Sequence, residues 1–368
     1  MKILYAGNLV NVGYSHTSLC REKGLDMELL MQKNPEPNSD PFQYVPDLNE
    51  YPSWIKFYDR QKSLWQLNVV KMMRNSKYQL IHSHVELPIF ARFSGKKFIA
   101  HTLGSDLKEM AFSNSLRGFL LRQAYNKANL VIYSTPDQSP MLDKLKIHHR
   151  LFLPLLRDLR LFKKIQITTN DLSNNFLIFH PTSHIWKSKG NDILIRAFEK
   201  FVKFHPNSYL IMIDKGIDSK KSKQLVKNLK IENKIKFLSR LNSSDLVKYY
   251  NLADVVADQF IEPGLGGIGM ETLSCEKPLL NFCPNNCYQG MYDEPPPVVH
   301  AETSDDIYQQ LITLLDEQTR KDIGNNGIKW IDKNMSSQIL IKKYHFLYNS
   351  IVDKVPFKTI MEKLKTNF

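Results

Sequence analysis

Short runs of β-branched and aromatic residues recur along the chain, and each is followed by a longer stretch whose apolar positions repeat with helical spacing. In the first half this pattern predicts strands at Lys2–Ala6, Met27–Met31, Gln79–His82, Lys97–His101, Leu130–Ser134 and Leu151–Pro154, with helices near Tyr14–Lys23, Arg60–Asn75 and Leu116–Lys127. The second half restarts it. Strands are expected at Phe176–His180, Tyr209–Ile213, Lys234–Phe237, Asp254–Ala257 and Pro278–Phe282, and helices at Asn191–Phe204, Ser222–Lys230, Ser243–Leu252 and Gly267–Ser274. After Ser304 the pattern is helical to the end. Strand–helix alternation of this kind builds parallel sheets covered by helices, so the fold class is α/β. At 368 residues the chain exceeds one core, and two doubly wound domains in tandem account for it. Their boundary is expected within Arg157–Asn175, where charge and Asn, Thr and Ser replace apolar periodicity. Facing each other, two such sheets leave a cleft at the carboxyl ends of their strands, where open α/β sheets bind ligands.

Composition narrows the class. An apolar fraction of 42% and a charged fraction of 24% fit a globular chain and exclude a disordered one. The net charge of +13 is unevenly placed: residues 1–170 hold 24 basic and 14 acidic residues, residues 171–368 hold 26 and 23. The surplus in the first half points to an anionic partner there, a phosphorylated substrate or an anionic membrane, with compositional bias as the plain alternative. A nucleic-acid-binding protein is the remote alternative. The run Lys215, Lys220, Lys221, Lys223, Lys227, Lys230, Lys234 and Lys236 lacks interleaved aromatics and reads as a solvated helix face. Four cysteines make no disulfide framework, and Cys283, Cys287 and His300 lack zinc-site spacing, so no metal is expected. With no apolar run of membrane-spanning length, the chain is expected in the cytoplasm, with peripheral contact at the inner face of the cell membrane as a further option.

Candidate chemistry lies at the strand ends. Asp258-Gln259-Phe260-Ile261-Glu262-Pro263-Gly264-Leu265-Gly266-Gly267-Ile268 leads from a buried strand into a helix carrying Glu271, and glycine-rich helix starts offer backbone N–H groups to phosphate. His184, Lys187 and Lys189 follow the first strand of the second half, and lysines placed there neutralise a diphosphate.

Lys189-Gly190-Asn191-Asp192 together with Gly266…Glu271-Thr272-Leu273-Ser274-Cys275-Glu276-Lys277-Pro278 resembles the C-terminal domain of family-4-type retaining glycosyltransferases of the GT-B fold, the glycosyl transferases group 1. In the first half Ile81-His82-Ser83-His84, Gly104-Ser105-Asp106-Leu107, Ala128 to Pro136 and Pro154…Asp158…Phe162 follow in the family's order. The resemblance implies two Rossmann-like domains facing across a cleft, 1–166 and 167–343, with a last helix in about 344–368 crossing back onto the first. It implies transfer of a hexosyl unit from a nucleotide-diphosphate sugar, UDP- or GDP-linked, to a glycan or lipid-linked acceptor, with retention and without a cofactor. Glu271 would hold the ribose, Lys189 the donor phosphates, and the amides around Gly264–Ile268, including Gly266 and Gly267, would face the diphosphate. His101 would contact the sugar, His84 the acceptor. Asn8, Asn11, Gly13, Asp106 and Glu262 complete the sugar and acceptor set. The pattern departs from the family at Pro263, with Glu262 one residue out of register, at His184 where an Arg is usual, at Leu103 before Gly104, and at the first strand–helix turn. A GT-B-shaped epimerase or phosphorylase is the alternative enzyme class.

Overall fold

The computed structural model describes residues 1–45, 47–167 and 175–367. The chain divides into two compact units, Met1–Asp158 with Met335–Phe368, and Leu159–Asn334. Of the expected boundary segment Arg157–Asn175, residues 168–174 lie outside the described residues.

In the first unit the order is β1 (Lys2–Ala6), α1 (Val12–Glu22), β2 (Asp26–Gln32), β3 (Ile55–Tyr58), α2 (Trp65–Arg74), β4 (Leu80–His84), α3 (Leu87–Ser94), β5 (Lys97–Thr102), α4 (Leu116–Lys127), β6 (Leu130–Tyr133), α5 (Ser139–Lys144) and β7 (Arg150–Phe152). All pairs are parallel and the sheet runs β3-β2-β1-β4-β5-β6-β7. The second unit holds β8 (Phe176–His180), α6 (Trp186–Lys189), α7 (Asn191–Phe204), β9 (Ser208–Ile213), α8 (Ser219–Asn228), β10 (Ile235–Leu238), α9 (Ser243–Leu252), β11 (Val255–Ala257), α10 (Gly267–Ser274), β12 (Leu279–Asn281), β13 (Val299–His300), α11 (Ser304–Thr313) and α12 (Glu317–Asn334). Its parallel sheet runs β10-β9-β8-β11-β12-β13. Each sheet reverses its winding once, between β1 and β4 and between β8 and β11. Those two switch points are where doubly wound sheets open a crevice at their carboxyl ends.

Two more helices, α13 (Ser337–Val352) and α14 (Phe357–Asn367), pack on the first unit. Leu340, Ile341, Tyr344, Leu347, Tyr348 and Ile351 of α13 join a core with Ile3, Tyr5 and Leu19. Lys97 Nζ donates to the Ile351 and Val352 carbonyls at 3.1 and 2.5 Å, which neutralises the negative end of α13.

The pattern did not show two elements that matter below. Ile55–Tyr58 is a four-residue edge strand after a segment rich in Pro and Tyr, too short to alternate clearly. Helix α3 is buried on most of its positions, which erases the helical period.

The first strand–helix turn works without the family's paired glycines because it is closed by contact. A Cβ on Gly13 would lie 1.9 Å from the Gly7 carbonyl oxygen, and one on Gly7, whose φ is +110°, would meet the His84 ring at 2.4 Å. Gly13→Ala sets its methyl against the Gly7 backbone, which cannot swing aside as a side chain could, and is expected to cost about 3 kcal/mol or more. A urea midpoint measured by circular dichroism checks it, and an unchanged midpoint would show that the turn is looser than described.

Candidate active site

The second unit presents the denser set of groups at its switch point. His180 ends β8, donating Nδ1–H to the Ala257 carbonyl (2.8 Å) and accepting from Asn191 Nδ2 (2.8 Å). Asn191 also donates to the Ser183 carbonyl at 3.3 Å and accepts from the Ile185 amide at 3.0 Å, so it stitches the loop after β8 to the start of α7. Gly190 turns the chain between them at φ +65°. Beside it the amides of Phe260 and Glu262 donate to the carbonyls of Lys189 and Ser188, joining the two loops across the switch point. The Lys-Gly-Asn order is therefore read as one device: Asn fixes the loop, Gly makes the bend, and Lys is presented at the rim.

Lys189 Nζ donates to Gln259 Oε1 and lies 3.5 Å from the Glu262 carboxylate. Gln259 in turn donates to the Glu262 carbonyl at 2.8 Å. Asp258 is buried, accepts from the Thr182 hydroxyl at 2.6 Å and has its pKa raised by burial, against the lowering pull of Lys189 and Lys215. The glycine-rich loop that follows is held from below. Asn281 Nδ2 donates to the Gly264 carbonyl at 2.9 Å, the Gly264 amide donates to the Phe282 carbonyl, and the Leu265 amide donates to the Tyr288 hydroxyl at 2.7 Å. These contacts correct one expectation: the amides of Gly264 and Leu265 are occupied inside the fold. Those of Gly266, Gly267 and Ile268 have no such partner among the described residues, because Gly266 stands at the N-cap of α10 and supplies no capping side chain. One turn on, Glu271 is buried and accepts from the Tyr250 hydroxyl at 2.8 Å. An uncapped helix start, a lysine at the rim and an oriented carboxylate are together suited to a diphosphate joined to a polyol.

Some expected site residues fall elsewhere. His184, expected among the residues at the donor phosphates, is fully buried; its Nδ1 pairs with Ser222 Oγ at 2.7 Å under α8, and burial lowers its pKa to about 4, so it supports the fold. Lys187 is exposed on α6. Lys215, counted above with a solvated run, is instead half-buried at the end of β9, where burial lowers its pKa and the charges of Glu271 and Asp258 raise it. Arg240, after β10, lies near enough to oppose it. Both are basic residues directly following a strand, which was the available signal. Lys220, Lys221, Lys223 and Lys227 do line an exposed face of α8, whereas Lys230, Lys234 and Lys236 lie beyond its end.

The first unit has a cavity of about 240 Å³ at its own switch point, lined by Asn8, Tyr58, Arg60, His84 and Glu86 among others. Asn8 holds it open from one side, accepting from the Tyr14 amide (2.7 Å) and donating to the Ser39 carbonyl (2.8 Å). His84 accepts from the Leu9 amide at 3.2 Å, and its other nitrogen faces the Tyr5 hydroxyl at 3.4 Å. Asn11 and Gly13 are buried in the turn and are not among the lining residues. Asp106 folds back on its own loop, accepting from the Leu103 and Gly104 amides (3.0 and 2.8 Å) and from Tyr125, and burial raises its pKa to about 6. The buried Glu86 binds both Arg60 and Arg117, an arrangement with no trace in the sequence because 26 and 31 residues separate the partners.

His101 is the plainest correction. Strand β5 continues through Thr102, so His101 lies inside the sheet, fully buried, with both ring nitrogens engaged. Ser134 Oγ donates to the Leu153 carbonyl at 2.7 Å, so it accepts from His101 Nε2 (2.7 Å). His101 Nδ1 then accepts from His82 Nε2 (3.1 Å), His82 Nδ1 from the Tyr348 hydroxyl (2.8 Å), and Tyr348 oxygen from His16 Nε2 (2.6 Å). The terminal carbonyl thus sets the direction of every proton in a chain that ties α13 to the sheet.

Among the described residues no group of His, Cys, Asp or Glu is placed to hold a metal ion, and no helix is long and apolar enough to cross a membrane.

Residues 163–330 match the family described as glycosyl transferases group 1. Across 87% of this chain and 88% of its own length, the alpha-monoglucosyldiacylglycerol synthase of Acholeplasma laidlawii is 20% identical. The capsular polysaccharide biosynthesis glycosyltransferase CapM of Staphylococcus aureus is 24% identical over 52% of each chain. The Anabaena protein HepE, solved with UDP and glucose, superposes with a TM-score of 0.75 at 16% identity over 95% of this chain and all of its own. The group 1 glycosyltransferase region thus lies within the second unit of this chain. The fold of the chain is GT-B, and a group 1 glycosyltransferase transfers a sugar from a nucleotide sugar. The matched region coincides with the unit that carries Lys189, the glycine-rich helix start and Glu271.

Proposed function

We propose that the chain transfers a hexosyl unit, with retention of anomeric configuration, from a UDP- or GDP-linked sugar to a glycan or lipid-linked acceptor. The observation that carries this reading is the convergence of Lys189, the uncapped start of α10 and the buried Glu271 at one switch point. In it, the amides of Gly266, Gly267 and Ile268 receive the diphosphate, Lys189 offsets the charge that grows on it as the glycosidic bond breaks, and Glu271, oriented by Tyr250, accepts from the ribose hydroxyls. Glu262 and Gln259 hold the Lys189 ammonium in place before the donor arrives. Lys215 and Arg240 add positive potential on the same side. The first-unit cavity at Asn8, His84 and Arg60 takes the acceptor. Retention follows the family resemblance, with the leaving diphosphate taking the acceptor's proton.

Thermal shift with UDP, GDP, ADP and dTDP, without metal, tests the donor site on the wild type and on Glu271→Ala. A nucleoside diphosphate at about 100 times its Kd is expected to stabilise the wild type by about 2.7 kcal/mol and the variant far less. Stabilisation by none of the four would remove the donor assignment. The anomeric configuration of the product, read by NMR, decides retention.

A further inference from the structure

Half of the large apolar side chains that stand exposed among the described residues fall within residues 64–119: Leu64, Leu67, Phe93, Phe112, Leu116 and Phe119. Leu67, Phe93, Leu116 and Phe119 sit on three helices that follow one another in space, α2 against α3 and α3 against α4, with Leu64 just before α2 and Phe112 in the turn before α4. On α2, Leu67, Lys71 and Arg74 recur at spacings of four and three, so they form one stripe, while Val69 and Met73 face the core and Leu64 stands at the N-cap. Arg74 donates to the Phe93 carbonyl at 3.0 Å, which brings the end of that stripe onto the end of α3. At the opposite end the Glu86 carboxylate binds Arg60, just before α2, and Arg117, in the first turn of α4. One buried acid therefore clamps the starts of all three helices together. Leu64 and Leu116, 66% and 73% exposed, both stand beside this clamp.

The charge of the same segment is one-sided. Residues 60–127 hold twelve Lys and Arg and three Asp and Glu, and two of the three acids, Glu86 and Asp106, are buried. Apolar side chains exposed singly are ordinary, but a group of them on neighbouring helices marks an interaction surface. Nucleic acid would account for the cations but would leave Leu64, Leu67 and Leu116 in water. An anionic bilayer accounts for both, since leucine side chains enter the headgroup boundary while lysine and arginine meet lipid phosphates.

We infer that the face formed by α2 and the start of α4 docks on an anionic lipid bilayer, with Leu64, Leu67 and Leu116 entering it and Lys62, Lys71 and Arg74 against the headgroups. Arg60 and Glu86 line the first-unit cavity as well as forming the clamp, so the docking face borders that cavity. An acceptor anchored in the bilayer would reach it without leaving the membrane, an extension that rests on the acceptor reading above.

Co-sedimentation of the full chain with phosphatidylcholine vesicles, with and without about 30 mol% phosphatidylglycerol, is the test. Binding is expected only with the anionic vesicles and to weaken in high salt. Leu64→Ser with Leu116→Ser is expected to lower the bound fraction about tenfold, and Lys62→Glu with Lys71→Glu by a similar factor. These side chains are exposed, so both variants are expected to keep the wild-type melting temperature and nucleotide-induced shift; the shift reports the donor site independently of the vesicles. Failure to bind anionic vesicles while nucleotide still shifts the melt would overturn the docking face alone. Binding that needs the lysines, ignores the leucines and is competed by RNA would overturn it in favour of nucleic acid.

Discussion

Lowering the pH from 7 to 5 is expected to remove about 6 kcal/mol of stability from the first unit, about 8 lost through its buried histidines less the part that Asp106 returns, which is comparable to the whole stability of an ordinary domain. Four buried histidines set the larger figure. Burial holds His16 and His84 at about 3, and His82 and His101 well below the usual range, so all four stay neutral in the fold. In the unfolded chain each titrates near the ordinary value of about 6.5. Their contribution is therefore complete above that value and is lost as pH falls through it, at about 2 kcal/mol per histidine by pH 5, because the unfolded state gains protons that the folded state refuses. Asp106 acts in the other direction: its folded pKa of about 6 is above the unfolded one, so protonation below pH 6 returns roughly 1 to 2 kcal/mol by pH 5. In the second unit His180 and His184, lowered to about 3 and 4, predict about half the histidine loss. Urea titrations at several pH values, followed by circular dichroism, read the slope. A flat profile between pH 7 and 5 would show that these rings are hydrated, and His101→Gln, which can still accept from His82 and donate to Ser134, is expected to lower the slope by about one proton.

Lys189→Ala is expected to reduce kcat by about 10²-fold with a small change in KM for the donor. Its ammonium stands at the rim of the diphosphate position and opposes the charge that appears only as the sugar departs, so its loss falls on the transition state more than on the ground state. The side chain and its partner Glu262 are partly exposed, and the buried Gln259 keeps its bond to the Glu262 carbonyl, so the fold is expected to survive, as the melting temperature will show. Lys187→Ala, exposed on the same short helix, is expected to stay within about threefold of the wild type. Equal losses in the two variants would mean that bulk positive charge suffices; an unchanged Lys189→Ala would take the residue out of the mechanism.

The α/β class and most strands followed from periodicity, because burial on both faces of a parallel strand leaves a dense apolar run that composition alone reveals. Lys189, the glycine-rich helix start and Glu271 were legible for a related reason: the elements that hold each of them are continuous in sequence, so a strand end, a bend and a helix start can be recognised within twenty residues. His101 misled because a histidine at the end of an apolar run reads the same whether the strand stops before it or passes through it. Only the sheet shows that β5 runs on and that Ser134, His82 and Tyr348 occupy both ring nitrogens. His184 misled in the same way, its partner Ser222 lying 38 residues away on α8. Lys215 was discounted because its neighbours in sequence are solvated, whereas its neighbours in space are Asp258 and Glu271.

By itself, then, the sequence determined what depends on local spacing: the alternation of strand and helix, the two-domain count, the diphosphate-suited helix start and the basic surplus of the first half. The tertiary structure decided what depends on pairing across long separations. Which histidines lie in the core, which loop amides remain open, and how Glu86 gathers Arg60 and Arg117 into one clamp are set by which strands and helices become neighbours, and topology, not spacing along the chain, fixes that.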